Sequence, residues 1–219
     1  MKKKTFAILA LLALMFGVLT GCTVDPDQAV PTKYVERVNV TPEAKASVGE
    51  QRARQAAKVA SDFTLAHGTN PKLLDPQKSH YTADELTKGV EGSLTTGALN
   101  SWRNRVNKAL AGDEDAVDAL DGLQLYSIKE PTWQVPTNGK LIVSQLLTNV
   151  EVDAENDTKN VIVTMHHRTV AHYETDKSPV EVTFDRDLTY TMAPSADGKT
   201  WLISEYTGPY RLDSEALLR

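Results

Sequence analysis

Hydrophobic residues follow three different patterns along the chain. They occupy nearly every position from 6 to 19. From residue 42 to about 111 they recur at three- and four-residue spacing, which is typical of amphipathic helices. From residue 123 to 206 they largely alternate with polar residues, which is typical of strands with one buried face. The pattern therefore predicts helices first and a sheet afterwards.

Three helices are predicted before residue 112. The first spans residues 42–67, where Thr41 is a suitable N-cap and Gly68 a suitable stop. Residues 82–85 read Thr-Ala-Asp-Glu, a capping box that predicts a short second helix. The third helix covers about residues 95–111. Its apolar stripe consists of Leu99, Trp102, Val106 and Leu110.

Five strands are predicted after residue 122. They cover residues 123–135, 141–152, 160–173, 180–192 and 200–206. The connections between them are short and polar, so we expect neighbouring strands to be antiparallel. Helices followed by antiparallel strands define an α+β domain, in which the sheet curls around the helices to bury one face.

The first 22 residues have the layout of an export signal. Lys2, Lys3 and Lys4 precede the apolar run, whose fourteen residues would make about 21 Å of helix, short of the roughly 30 Å hydrocarbon core. The run ends in Leu19-Thr20-Gly21-Cys22, which resembles the lipobox of bacterial lipoproteins. The resemblance implies that the Cys22 thiol carries a diacylglycerol group and that cleavage makes Cys22 the first mature residue. An ordinary signal peptide with an incidental cysteine is the alternative.

Because two or more acyl chains form a stable anchor, Cys22 predicts attachment to the extracytoplasmic face of a cell membrane. Removing residues 1–21 shortens the 219-residue chain to 198 residues. Three lysines are lost, so the net charge changes from −5 to −8. The acidic balance argues against a nucleic-acid partner. A single cysteine excludes an intramolecular disulfide and a multi-cysteine metal centre.

The mature chain is predicted to contain a flexible tether at 22–40, one domain at 41–207 and a C-terminal tail at 208–219. The order of elements resembles that of the NTF2-like superfamily, as does the closing segment 197–203, which reads Asp-Gly-Lys-Thr-Trp-Leu-Ile. The resemblance implies a cone-shaped α+β barrel, similar to domains of actinobacterial-type envelope lipoproteins. It also implies a pocket between the concave sheet face and the helices. It implies no particular activity, because this fold hosts enzymes, binders and scaffolds.

Four residues are candidates for lining that pocket, namely Met165, His167, Tyr190 and Arg186. Arg186 is the one charged residue on the apolar face of the fourth strand, where a guanidinium is suited to bind a carboxylate. His167 shares the apolar face of the third strand and is suited to move a proton. The alternative is that Arg186 snorkels to solvent at the open end of the barrel and a backbone carbonyl satisfies His167.

No catalytic residues, metal or cofactor are predicted. His166 and His167 point to opposite faces of their strand, and His166 and His172 lie about 20 Å apart along it. The acidic stretch 113–121 lacks the EF-hand pattern and is interpreted as a solvated helix end. Asp185 and Asp187 alternate onto the polar face, away from the pocket in which a catalytic base would have to sit.

These features favour a membrane-anchored extracytoplasmic lipoprotein that acts as a non-catalytic binding or scaffold module. Its expected partners are the membrane, through the lipid on Cys22, and an envelope protein. The alternatives are a small-ligand or lipid-binding protein that uses the barrel pocket and an isomerase-like enzyme. The polar outer face of the fourth strand favours a monomer.

Overall fold

Helices precede most of the sheet along the chain, as the hydrophobic pattern predicts. The computed structural model describes residues 32–126 and 128–217, so the export signal, the lipobox and Ser127 lie outside the described residues. The helices are α1 (Pro42–Val48), α2 (Glu50–Phe63), α3 (Ala83–Thr87), α4 (Thr96–Leu110) and α5 (Glu114–Asp121). The strands are β1 (Thr32–Val35), β2 (Asn39–Val40), β3 (Ile142–Ala154), β4 (Val161–Tyr173), β5 (Val180–Pro194), β6 (Trp201–Thr207) and β7 (Tyr210–Ala216).

The sheet has seven strands and is not closed. Its central order is β1-β3-β4-β5-β6, and neighbours from β3 to β6 are antiparallel, as expected. Strands β1 and β2 pair one after the other with the free edge of β3 and run parallel to it. Strands β6 and β7 pair one after the other with the edge of β5 that faces away from β4, and both run antiparallel to β5. The fold is therefore α+β with a mixed sheet.

Both ends of the described chain are more structured than the sequence pattern indicated. Residues 32–35 and 39–40, placed in the predicted tether, form β1 and β2. Residues 210–216, placed in the predicted tail, form β7. These strands are short or mostly exposed and lie at sheet edges. They are held by backbone hydrogen bonds to a partner strand, and a polar sequence by itself does not predict such bonds.

The first predicted helix is broken at Gly49. This residue has φ +83°, which a helical residue cannot adopt, so α1 ends before it and α2 begins after it. Thr41 caps α1 as expected by accepting a hydrogen bond from the Ala44 N–H at 3.1 Å. Helix α2 is followed by a π-helical turn, Thr64–Gly68. The capping box is confirmed at the start of α3.

The predicted strand at 123–135 does not form among the described residues. Two isolated bridges are found there, Leu125 to Thr69 and Gln134 to Glu174. The segment instead packs against one end of the sheet through irregularly spaced side chains. One of them is Trp133, whose ring stacks on that of Tyr173 with 5.1 Å between centroids. The side chains at this end of the sheet form a hydrophobic core of their own, separate from the main core: Leu74, Leu125, Ile128, Trp133, Leu141, Ile142, Ala171, Tyr173, Val182 and Phe184.

The main core lies between the sheet and helices α2, α4 and α5. Helix α2 turns a row of small residues toward the sheet, and all four are fully buried: Ala53, Ala56, Ala57 and Ala60. Trp102 of α4 and Trp201 of β6 are buried in the same core. The close approach of α2 brings the π-helical turn that follows it onto the middle of β4 and β5. Among the described residues, no helix has the length and apolarity needed to cross a membrane.

Candidate functional site

A buried polar cluster lies where the π-helical turn meets β4 and β5. Arg186 is fully buried there, and its Nη1 donates to the Gly68 carbonyl at 3.0 Å. Its Nη2 donates to the Asp121 carbonyl at 2.7 Å. A Cβ at position 68 would lie 3.1 Å from Nη1, so this close approach favours glycine. Arg186 thus joins the end of the π-helical turn to the end of α5.

Arg186 has no carboxylate ion pair within the described part of the chain. Both of its acceptors are neutral carbonyl groups, and burial lowers the pKa of its guanidinium. A buried cation without a close counter-ion is costly, so the surrounding groups must accommodate its charge.

His167 is the cross-strand neighbour of Arg186 and is also fully buried. Its Nε2 lies 3.2 Å from Gln145 Oε1 and 3.1 Å from Thr169 Oγ1. The Gln145 amide nitrogen donates to the Leu65 carbonyl, which turns Oε1 toward the histidine. The Nε2 proton therefore points at Gln145. Burial, reinforced by the charge of Arg186, lowers the pKa of His167 to about 3, so the ring is neutral.

Tyr190 and Met165 complete the cluster on the side of α2. The Thr64 hydroxyl lies 3.2 Å from the Tyr190 hydroxyl and 3.6 Å from Met165 Sδ. The Phe63 ring packs edge-on against Tyr190, with 6.1 Å between centroids. Burial raises the pKa of the Tyr190 hydroxyl, which therefore stays protonated near neutral pH.

The structure brings all four candidate pocket residues together and packs them against one another. Arg186, His167 and Tyr190 are fully buried and Met165 is 3% exposed. Arg186 does not snorkel to solvent, and a glutamine and a threonine, not a backbone carbonyl, contact the Nε2 atom of His167. The space that the family resemblance assigned to an open pocket is occupied here by protein side chains.

Asp121 belongs to this cluster although the sequence placed it on a solvated helix end. It is 3% exposed, and its Oδ1 accepts a hydrogen bond from the Tyr126 N–H at 3.0 Å. Burial raises its pKa to about 7, although the Tyr126 bond and the charge of Arg186 act in the opposite direction. The available signal was its position four residues after Val117, on the inner face of α5.

The cluster also holds two buried polar atoms that have no hydrogen-bond partner in the described part of the chain. They are Arg186 Nε and His167 Nδ1. Gln145, Thr69 and Thr169 were missed by the sequence reasoning because isolated polar residues inside apolar segments carry no distinctive spacing.

The remaining sequence candidates lie on the outer face of the sheet. His166 is placed between two carboxylates, with Nε2 3.0 Å from Asp185 and Nδ1 2.9 Å from Asp187. Arg168 donates two hydrogen bonds to Asp185 and lowers the pKa of that carboxyl. Both aspartates thus face away from the helices, as alternation predicts. Within residues 32–126 and 128–217, no group of three or more His, Cys, Asp or Glu side chains is arranged to hold a metal ion.

A separate groove of about 540 Å³ opens between helices α4 and α5 and the β6–β7 turn. Its walls include Tyr206 and Tyr210, and Arg105 donates to the Tyr206 hydroxyl at 2.8 Å. Gly122 and Gly208 bring two backbone segments into direct contact at the groove. None of the four candidate pocket residues lines it.

Replacing Gly208 with alanine is expected to lower the free energy of unfolding by about 1–2 kcal/mol. The new Cβ would overlap the Gly122 carbonyl oxygen and lie 2.5 Å from Leu188 Cδ2. Urea unfolding of the variant measures the loss. The matched control is Gly97→Ala in the first turn of α4, where a Cβ meets nothing within 4 Å and alanine favours the helix. Equal stabilities for the two variants would contradict the tight contact.

Comparisons with known proteins do not extend this description: no family model, curated protein or solved structure matches the chain.

Proposed function

We propose that this protein is a lipid-anchored, extracytoplasmic binding or scaffold module without catalytic activity. The observation that carries the proposal is the filled interior, where Arg186, His167, Tyr190 and Met165 are 0–3% exposed. A small molecule has no room between these side chains. Contacts with other molecules therefore involve the outer surface, which argues against the pocket-based alternatives.

The domain is proposed to be NTF2-like. Helices α2 and α4 pack on the antiparallel strands of the sheet and α5 packs on α4, which supports this assignment. Strand β3 has a bulge between Thr148 and Glu151, where Asn149 has φ +52°, and bulges of this kind bend a strand. The parallel edge strands β1 and β2 are additions to the expected pattern.

The two histidines at the centre of β4 are each held by neighbouring side chains. On the outer face, both ring nitrogens of His166 contact carboxylates, and Arg168 is bound to Asp185. In the interior, His167 is neutral and enclosed. A general base must reach a substrate proton through a hydrogen bond or one water molecule, which neither histidine is placed to do.

The anchor is tested by replacing Cys22 with serine in the full chain, expressed in a bacterium that processes lipoproteins. We expect the unchanged protein to incorporate a labelled fatty acid and to have the intact mass of a chain that begins at an acylated Cys22. The variant should incorporate none, because the chain contains one cysteine. Label in the variant, or wild-type cleavage at another site, would contradict the anchor.

The binding role is tested in the same cells by chemical crosslinking followed by mass spectrometry. We expect the lipidated protein to crosslink reproducibly to the same envelope protein in independent cultures. The Cys22→Ser variant is the matched control, since it has the same domain surface and no lipid at residue 22. Failure to recover any reproducible partner from intact cells would count against a scaffold.

A further inference from the structure

The sheet edge that follows the predicted lipid anchor carries basic and exposed apolar side chains together. We call this surface the edge patch. Tyr34 of β1 is 55% exposed and Val35 is 39% exposed. Arg37, Lys45 and Arg54 line a common depression between β2 and helices α1 and α2. The edge patch consists of Lys33, Tyr34, Val35, Arg37, Lys45 and Arg54.

The edge patch contains four cationic side chains, and three carboxylates lie beside it: Glu36, Glu50 and Glu151. Glu50 is already bound to Arg54 at 2.7 Å and lies 3.9 Å from Lys45. Glu151 accepts a hydrogen bond from the Asn39 side-chain amide at 2.7 Å. Glu36 is held by the Asn149 N–H at 2.7 Å. Arg37 has no hydrogen bond or ion pair within the described part of the chain.

The same asymmetry is visible in the sequence. Residues 32–58 contain six Lys and Arg against three Glu, whereas the whole chain has a net charge of −5. The positive excess therefore lies where the described chain begins, and the acidic excess lies elsewhere. A surface of this kind is attracted to anionic phospholipids once it comes within about 8 Å, the Debye length at physiological salt.

The anchor would keep the edge patch close to the membrane. Ten residues, 22–31, separate the start of the mature chain from β1. Ten residues span at most about 35 Å, whatever their conformation. A short tether gives a weakly attractive surface a high effective concentration at the lipid.

We propose that the edge patch is a second membrane contact that binds anionic phospholipid beside the lipid anchor. The proposal rests on the proposed acylation of Cys22. The cations meet the lipid phosphates, Tyr34 lies at the interface that tyrosine favours, and Val35 inserts among the headgroups. This contact turns the β1 edge toward the membrane and leaves the opposite edge, with β7, facing away.

The test uses the mature lipidated protein in phosphatidylcholine vesicles with and without phosphatidylglycerol. Acylation consumes the thiol of Cys22, so a Val35→Cys variant carries one reactive thiol for an environment-sensitive dye. We expect phosphatidylglycerol to lower quenching of this dye by acrylamide roughly threefold, and high salt to reverse the change. The control is the same dye at Ser214→Cys on β7, where no change is expected.

Two matched charge variants identify the surface responsible. Lys33→Glu, Arg37→Glu and Lys45→Glu together should abolish the phosphatidylglycerol effect. The second variant makes the same change in net charge at exposed lysines elsewhere and should retain the effect: Lys88→Glu, Lys108→Glu and Lys159→Glu. Lipidated protein with equal quenching in both vesicles, or an equal response of the two variants, would overturn the edge contact alone. Protein recovered without acyl groups would overturn the anchor as well.

Discussion

Replacing Arg186 with alanine is expected to lower the free energy of unfolding by roughly 3 kcal/mol. The substitution removes a fully buried side chain and leaves a cavity under the π-helical turn. The Asp121 carbonyl loses its donor, whereas the Gly68 carbonyl keeps a second bond from the Leu125 N–H at 3.0 Å. Urea unfolding of the mature protein measures the change. A loss below about 1 kcal/mol would show that Arg186 does not hold the two helix ends together.

Two further variants separate the causes of this loss. Arg186→Met keeps most of the volume and removes the buried charge together with its hydrogen bonds, so its loss should be smaller than that of alanine. Arg211→Ala removes an exposed arginine from β7 and should change stability by less than about 0.5 kcal/mol. A methionine variant as unstable as the alanine variant would assign the effect to the hydrogen bonds and not to the cavity.

The long elements were predictable because their burial follows a regular period. Strands β4 and β5 bury alternate residues over most of their length, and the prediction of both strands is confirmed within about two residues. Helix α4 likewise buries Trp102 and Val106 of its predicted apolar stripe, although Leu110 at its end is 42% exposed. The strands that the pattern missed are β1, β2 and β7. Strands β1 and β2 pair with residues of β3 that lie 112 positions later in the chain, and β7 pairs with an edge of β5. Their own sequences bury little and so carry a weak signal.

The sequence predicts which residues form the candidate site, but not whether these residues line an open cavity or are packed closed. Alternation placed His167 and Arg186 on the inner face, and the structure has both there. Whether they face a cavity depends on how close α2 comes to the sheet, which is set by its row of alanines and by the π-helical turn. The acidic stretch around Asp121 predicts a solvated side chain, but its position on the inner face of α5 buries it. The spacing of apolar residues along the chain does not show how far a helix lies from the sheet on which it packs.

Two buried groups in this cluster titrate with opposite effects on stability. The pKa of Asp121 is raised by burial from an ordinary value of 3.8 to about 7, so its contribution is lost as pH rises through that range. The pKa of His167 is lowered by burial from 6.5 to about 3, so its contribution is lost as pH falls below 6.5. Between about pH 4 and pH 6.5 the two groups therefore oppose each other, because both are neutral in the folded protein.

Removing one group should expose the pH dependence of the other. Relative to the unchanged protein, Asp121→Asn should become more stable as pH rises from 4 to 7, by on the order of 4 kcal/mol in total. His167→Gln should change in the opposite direction and gain relative stability as pH falls from 6.5 toward 4. Urea unfolding at half-unit pH intervals measures both slopes, and Asp157→Asn, at an exposed turn, controls for the loss of one carboxylate. Parallel curves for Asp121→Asn and the unchanged protein would mean that Asp121 is ionised in the folded state, with Arg186 as its effective counter-ion.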